Sequence, residues 1–164
     1  MLRVHPSAQK NELIIRPLTE DVVAEINGTD MIQILLNLTI NALQCCPEPH
    51  RVEVYGQRIA EPLNLSQFVD GPEDLLINRE ELRNVAPLLA VSVQDNGPGI
   101  PPDVLPKIFE PFFTTKTANK GTGLGLAIVH RFVKEGTGVI HLQTKLGKGT
   151  TFTIYLPAHD VPRV

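Results

Sequence analysis

Asp95-Asn96-Gly97-Pro98-Gly99 follows a run from Ala90 to Gln94 that alternates apolar and polar residues as a strand does. A carboxylate at the end of a buried strand, before a turn that neither helix nor ladder continues, is a poor choice for stability alone. Asp95 can accept hydrogen bonds from a donor such as an exocyclic amine, and Gly97 and Gly99 leave room beside a ligand. The same five residues also fit an ordinary Asn-Gly or Pro-Gly turn with a capping Asp. The residues on either side have to decide between a binding site and a plain turn.

The chain has 164 residues, 42% hydrophobic and 20% charged, which suits one compact domain with its own core, over 1–164. A net charge of −3 argues against a nucleic-acid partner, which would call for clustered Lys and Arg. Small anions remain open, because backbone amides and one or two cations can hold them. The two cysteines, Cys45 and Cys46, are neighbours and suggest neither a disulfide framework nor a spaced zinc ligand set. A reducing cytoplasm is expected. No apolar run reaches membrane-spanning length and the first residues lack the pattern of a secretory signal, so no membrane contact is expected of this segment.

Outward from Asp95 toward the N-terminus, short strands are expected over 11–16, 22–26 and 51–55. Asn27-Gly28 marks a turn, and Thr29 or Asp30 can cap the helix that follows over 31–43. Its broad apolar face carries Ile32, Leu35, Leu36, Thr39 and Leu43. On the other side Gln33, Asn37, Asn41 and Gln44 form a stripe of amides, flanked by Ile40, Ile34 and Leu38. A buried amide without a partner costs roughly 1–3 kcal/mol. Two readings stay open: the amides bond neighbouring loops or water, or the carbonyl oxygens of Asn37 and Asn41, one turn apart, serve Mg²⁺ as hard neutral ligands. Residues 57–87 read as a polar surface insertion, with a short helix near 79–84.

Toward the C-terminus, Pro101-Pro102-Asp103 reads as a helix start leading to Phe109-Glu110-Pro111-Phe112-Phe113. A hydroxyl-rich loop with Lys116 and Lys120 comes next, and then Gly121-Thr122-Gly123-Leu124-Gly125-Leu126 opens a helix over 127–134. Glycines at a helix start expose unpaired amides at the positive end of the helix dipole, a field suited to a di- or triphosphate. This is neither the dinucleotide fingerprint nor a P-loop. His130, inside that helix, reads as a surface or packing residue. A hairpin over 139–144 and 151–156 closes the domain at Pro157, and the end from Ala158 is expected to fray.

In order, the chain holds Asn37-Leu-Thr-Ile-Asn41-Ala42, Asp95-Asn-Gly97-Pro-Gly99, Phe109-Glu-Pro-Phe112, Gly121-Thr-Gly123-Leu-Gly125-Leu and Gly147-Lys-Gly149-Thr150-Thr-Phe152. Together these resemble the N, G1, F, G2 and G3 boxes of the catalytic and ATP-binding domain of two-component sensor histidine kinases. That superfamily also holds DNA gyrase B, heat-shock chaperone ATPases and mismatch-repair ATPases. The direct Phe-Phe-Thr-Thr-Lys approach to a short lid is most similar to the nitrogen-regulation branch.

The resemblance implies an α/β (α+β) two-layer sandwich, the Bergerat fold, in which a mixed, mostly antiparallel sheet lies under about three helices, with ATP between helices and lid. Asp95 would bond the adenine amino group, helped through water by Thr150. Gly97 and Gly99 would shape the pocket, with Ile100 in its wall. Asn41 would ligate Mg²⁺, with Asn37 supporting the metal and phosphates. The loop of Gly121, Thr122, Gly123, Leu124 and Gly125 would wrap the phosphates, Lys116 and Lys120 would neutralise them, and Phe109 would anchor the lid.

The gyrase-like ATPases carry a water-activating Glu one turn before the metal Asn; here that position is Asn37, which has no basicity to take a proton. The resemblance therefore implies phosphoryl transfer to a protein rather than hydrolysis. Nothing here matches the family's His-Glu/Asp acceptor motif, so the histidine-bearing dimerisation domain and the response regulator are partners expected outside this chain. The isolated domain is expected to be a monomer, and the parent a homodimer that can be membrane-anchored. The alternatives are an anti-sigma-type serine kinase and an ATP-sensing module without transfer.

Overall fold

A computed structural model describes residues 6–115 and 122–162. Among these are seven strands: β1 (Glu12–Ile15), β2 (Val22–Ala24), β3 (Arg51–Ile59), β4 (Asp74–Ile77), β5 (Leu88–Asp95), β6 (Val139–Lys145) and β7 (Gly149–Asp160). Two α-helices, α1 (Gly28–Leu43) and α2 (Gly125–Glu135), cover one face of the sheet. The strand order is β1-β3-β5-β7-β6-β4, with β2 also paired to β7. Only β1 and β3 run parallel, so the sheet is mixed and mostly antiparallel. Among the described residues, no helix is long and apolar enough to cross a membrane.

The core lies between the helices and the sheet. Ile34, Leu38, Ala42 and Leu43 of α1 and Val129 and Val133 of α2 meet Val52, Val93, Ile140, Leu142, Phe152, Ile154 and Leu156 of the sheet. These positions keep the 3.6-residue period on the helices and the two-residue period on the strands. Each large side chain withdrawn in this way contributes roughly 1.5–3 kcal/mol. The face of α1 turned to the sheet differs from the expected one: Ile34 and Leu38 are buried, while Ile32 is 57% exposed. Rotation of the helix sets the amide stripe at the edge of the core. The cap is Asn27, whose Oδ1 accepts the Thr29 amide at 2.8 Å, one turn earlier than a start at residue 31 requires.

Three further expectations change. A third α-helix does not follow Pro101. Among the described residues that place holds turns and a 3-10 turn, Leu105–Lys107, because Pro106 lacks the N–H an α-helix would need there. The stretch 57–87 is knitted into the sheet. Its first residues continue β3, and β4 is the edge strand beside β6. Where a short helix was expected near 79–84, residues 79–81 form a turn and 82–84 are irregular. Phe68 stands edge-on to His141 and Tyr155, at centroid distances of 4.9 and 6.4 Å, so the stretch also covers the sheet face opposite the helices. Finally, β7 does not fray at Ala158 but runs to Asp160, because β2 takes up its pairing beyond Pro157, opposite which β5 begins at Leu88.

Candidate nucleotide site

Asp95 ends the central strand β5, held between Val52 of β3 and Thr150 of β7. The residue is 8% exposed, and its Oδ1 accepts the Gly97 N–H at 2.9 Å. Burial pushes its carboxyl above the ordinary carboxylate range, and the Gly97 amide offsets part of that rise. The chain then turns through Gly99, where φ is +78° and a Cβ would fall 2.4 Å from the Lys145 carbonyl oxygen. Only glycine fits both demands.

The Ile100 N–H donates to Thr144 Oγ1 at 2.8 Å, and Thr144 Oγ1 lies 2.9 Å from Thr150 Oγ1. Two hydroxyls thus tie the loop after β5 to the β6–β7 hairpin. Thr144 was not singled out from sequence, where it reads as one more residue of an alternating strand.

A cavity of about 700 Å³ opens between α1, the loop after β5 and the start of α2. Of the residues expected at a site, Asp95, Gly99, Ile100 and Thr150 line one end, and Asn37, Asn41, Thr122, Gly123 and Gly125 also line it. Phe113, Thr114, Ile40 and Cys45 join the wall without having been expected there. Gly97 stands behind Asp95, and a Cβ on it would meet Cys45 Sγ at 2.5 Å. Leu124 caps α2. Phe109 packs against the rings of His130 and Phe152, at centroid distances of 5.8 and 6.4 Å, beneath the cavity rather than in its wall. Lys116, Lys120 and Gly121 lie outside the described residues.

The donor set separates along the cavity. Asp95 is the only carboxylate among the described residues that line it. Elsewhere the wall offers amides and the amino end of α2, whose first N–H groups have no partner within the helix. Asn37 Nδ2 is buried and has no hydrogen-bond partner. An orphaned amide of this kind costs roughly 1–3 kcal/mol, a cost that an oxygen-rich ligand would remove. The cavity therefore suits a molecule with an amine-bearing ring at one end and an anionic group at the other.

Residues 26–160 match the model of the family described as histidine kinase-, DNA gyrase B-, and HSP90-like ATPase. The sensor kinase CckA of Brucella abortus (strain 2308) is 42% identical over 127 residues, covering 76% of this chain and 12% of that protein. The sensor histidine kinase ZraS of Escherichia coli (strain K12) is 34% identical over 158 residues, covering 95% of this chain and 28% of that protein. The chain thus spans less than a third of the length of these curated relatives. A solved catalytic domain of the histidine kinase ThkA superposes with a TM-score of 0.64 at 26% identity, covering 90% of this chain and 79% of that one. A matched span from Ile26 to Asp160, over a cavity with an acid at one end and amides at the other, makes this chain a member of the histidine kinase-, DNA gyrase B- and HSP90-like ATPase family.

Proposed function

We propose that this chain is the ATP-binding catalytic unit of a two-component sensor histidine kinase, passing the γ-phosphoryl group of ATP to a histidine on a separate dimerisation domain. An aspartate of a response regulator would receive it next. The observation that carries the reading is the placement of acid and amide. The single carboxylate among the described lining residues is Asp95, and the position one turn before Asn41 holds the amide of Asn37. An amide cannot take a proton from water, so the wall offers no carboxylate base beside Asn41 and favours transfer over hydrolysis. The sensor-kinase relatives support the same direction.

In this reading Asp95 accepts the adenine amino group, with Thr150 assisting through water, and Ile100 and the Gly97–Gly99 backbone bound the base. Gly121, Gly123 and Gly125 wrap the phosphates with Thr122 and Leu124 between them. Lys116 and Lys120 neutralise phosphate charge from the lid, and Phe109 anchors its base. Asn41, with Asn37 beside it, would hold Mg²⁺, which would supply charge neutralisation between the phosphates. The γ-phosphorus exchanges its bond to the bridging oxygen for one to the unprotonated imidazole nitrogen; ADP leaves with the bridging oxygen's electron pair, and the ring sheds the proton of its other nitrogen to solvent. The chain's own share is positioning and electrostatics.

The test combines this chain, γ-labelled ATP and the histidine-bearing helical domain of a relative such as ZraS. Acid-labile label on histidine is the expected result. Acid-stable label on serine would replace the reading by a serine kinase, and saturable ATP binding without label by a sensing module.

A further inference from the structure

At the C-terminal end of α1, three side chains that the nucleotide reading does not use come together. Cys45 Sγ and Cys46 Sγ are 3.9 Å apart. His50 reaches both, with Nε2 3.4 Å from Cys45 Sγ and Nδ1 3.5 Å from Cys46 Sγ. One ligand atom from each residue lies within 4.8 Å of the other two. All three residues are half-buried. Adjacent cysteines give no spaced ligand pattern in sequence; the third ligand arrives because Pro47-Glu48-Pro49 turns the chain back on the helix end. Asn11 fixes that return, its Nδ2 donating to the Leu43 carbonyl at 2.9 Å and its Oδ1 accepting the His50 amide at 3.0 Å.

The imidazole faces backbone carbonyls with both nitrogens. Its nitrogens lie 2.7 Å from the Ala42 carbonyl oxygen and 2.9 Å from that of Glu48. A neutral ring carries one N–H and can donate to only one of these carbonyls, so an ion bound at the other nitrogen takes the place of that nitrogen's carbonyl contact. Donation from one ring nitrogen to a backbone carbonyl is what orients a ligating histidine. The sulfur–sulfur separation also fits; the two sulfur–nitrogen distances belong to different ring nitrogens, of which an ion binds one, so the ring shifts slightly to close the site. Tetrahedral zinc, with Zn–S near 2.3 Å and Zn–N near 2.0–2.1 Å, sets its ligands about 3.8 Å apart for S and S and about 3.5 Å for S and N.

We propose that Cys45, Cys46 and His50 form a binding site for a thiophilic transition-metal ion, with Zn²⁺ as its simplest occupant. Two thiolates and an imidazole select soft or borderline ions over Mg²⁺, so this site is separate in chemistry from the amides of α1. Binding releases the two thiol protons to solvent, and the two thiolates balance the charge of the dication. Three protein ligands leave a fourth position to water.

The test titrates the reduced chain, with its two thiols counted beforehand, first with Co²⁺ as a spectroscopic probe and then with Zn²⁺. A thiolate-to-cobalt charge-transfer band saturating at one ion per chain, bleached by equimolar Zn²⁺, is the expected result. Cys46→Ser and His50→Gln, checked for folding by far-ultraviolet circular dichroism, should each weaken Co²⁺ at least about tenfold. Cys46 is the informative position because it does not line the nucleotide cavity, whereas Cys45 does. Absence of the band with both thiols reduced overturns the assignment, as does unchanged Co²⁺ affinity in Cys46→Ser. No nucleotide enters the measurement, so its outcome is independent of the ATP reading.

Discussion

Gly149 is pressed against Asp95. Its φ is +121°, and a Cβ there would fall 2.0 Å from the Asp95 carbonyl oxygen. The start of β7 can close on the end of β5 only because this residue has no side chain. That closure sets Thr150 opposite Asp95 and keeps the carboxylate at the end of the cavity.

Gly149→Ala should therefore cost more than about 3 kcal/mol of folding stability, the sum of backbone strain and a displaced strand end. Gly147→Ala is the control. Its φ is +76° but the space around it is open, so only the left-handed penalty of about 1–2 kcal/mol applies. Urea unfolding of the two variants measures the difference. Equal losses would mean that the contact with Asp95 relaxes without cost.

In the proposed reading, Asp95 trades stability for binding. Its carboxyl is raised above the ordinary range by burial, so the folded chain holds that proton more tightly than the unfolded chain does. The slope of stability with pH follows the protons bound in the unfolded state minus those in the folded state, and is negative here. Stability should fall as pH rises from the ordinary carboxylate range through the raised value. Asp95→Asn should flatten that slope and melt no lower than the parent at neutral pH without nucleotide. ATP affinity should drop roughly tenfold to a hundredfold, since a hydrogen bond to a charged group is worth about 1.5–3 kcal/mol. Parallel losses of melting temperature and binding would make Asp95 a structural cap only.

What was legible in the sequence was whatever is local. The 3.6-residue period of α1, the alternation of β5 and the glycine turns announce themselves within a few residues. What escaped depends on distant pairing. The four residues of β4 carry no strand signal of their own and become a strand because β6 offers an edge. The extension of β7 past Pro157 needs β2, more than a hundred positions away. Ile32 was expected inside and faces out, because the choice among apolar flanks of α1 is made by the sheet beneath. In the site, Asp95, Asn37 and Asn41 were readable as odd residue types in apolar surroundings. Thr144 and Cys45 were not, since their contacts to Thr150 and Asp95 exist only across strands and elements.

Asn37 should be expendable for folding. Its Nδ2 is buried without a partner, so Asn37→Ala removes an unsatisfied amide and should change stability by less than about 1 kcal/mol. Phosphoryl transfer to a supplied histidine domain should nonetheless fall by at least about tenfold, because the alanine removes one of the polar groups that position the phosphate end. Differential scanning calorimetry and a labelled-ATP transfer assay measure the two effects separately. A large stability loss with full transfer would reverse the assignment.

In the proposed reading, Asn41 serves the metal rather than the nucleotide. It sits one turn after Asn37 on the cavity wall, where a neutral carbonyl oxygen can serve a small, hard cation that keeps most of its shell as water and phosphate oxygen. With Mg²⁺ present, Asn41→Ala should lower ATP affinity to the value measured in excess chelator. Without Mg²⁺, parent and variant should bind ATP equally, because the base end of the cavity is untouched. The measurement is calorimetric titration of both proteins in each condition. If the variant keeps the parent's dependence on Mg²⁺, the metal is held by other groups and Asn41 leaves the ligand set; if it loses affinity equally in both conditions, its amide contacts the nucleotide directly.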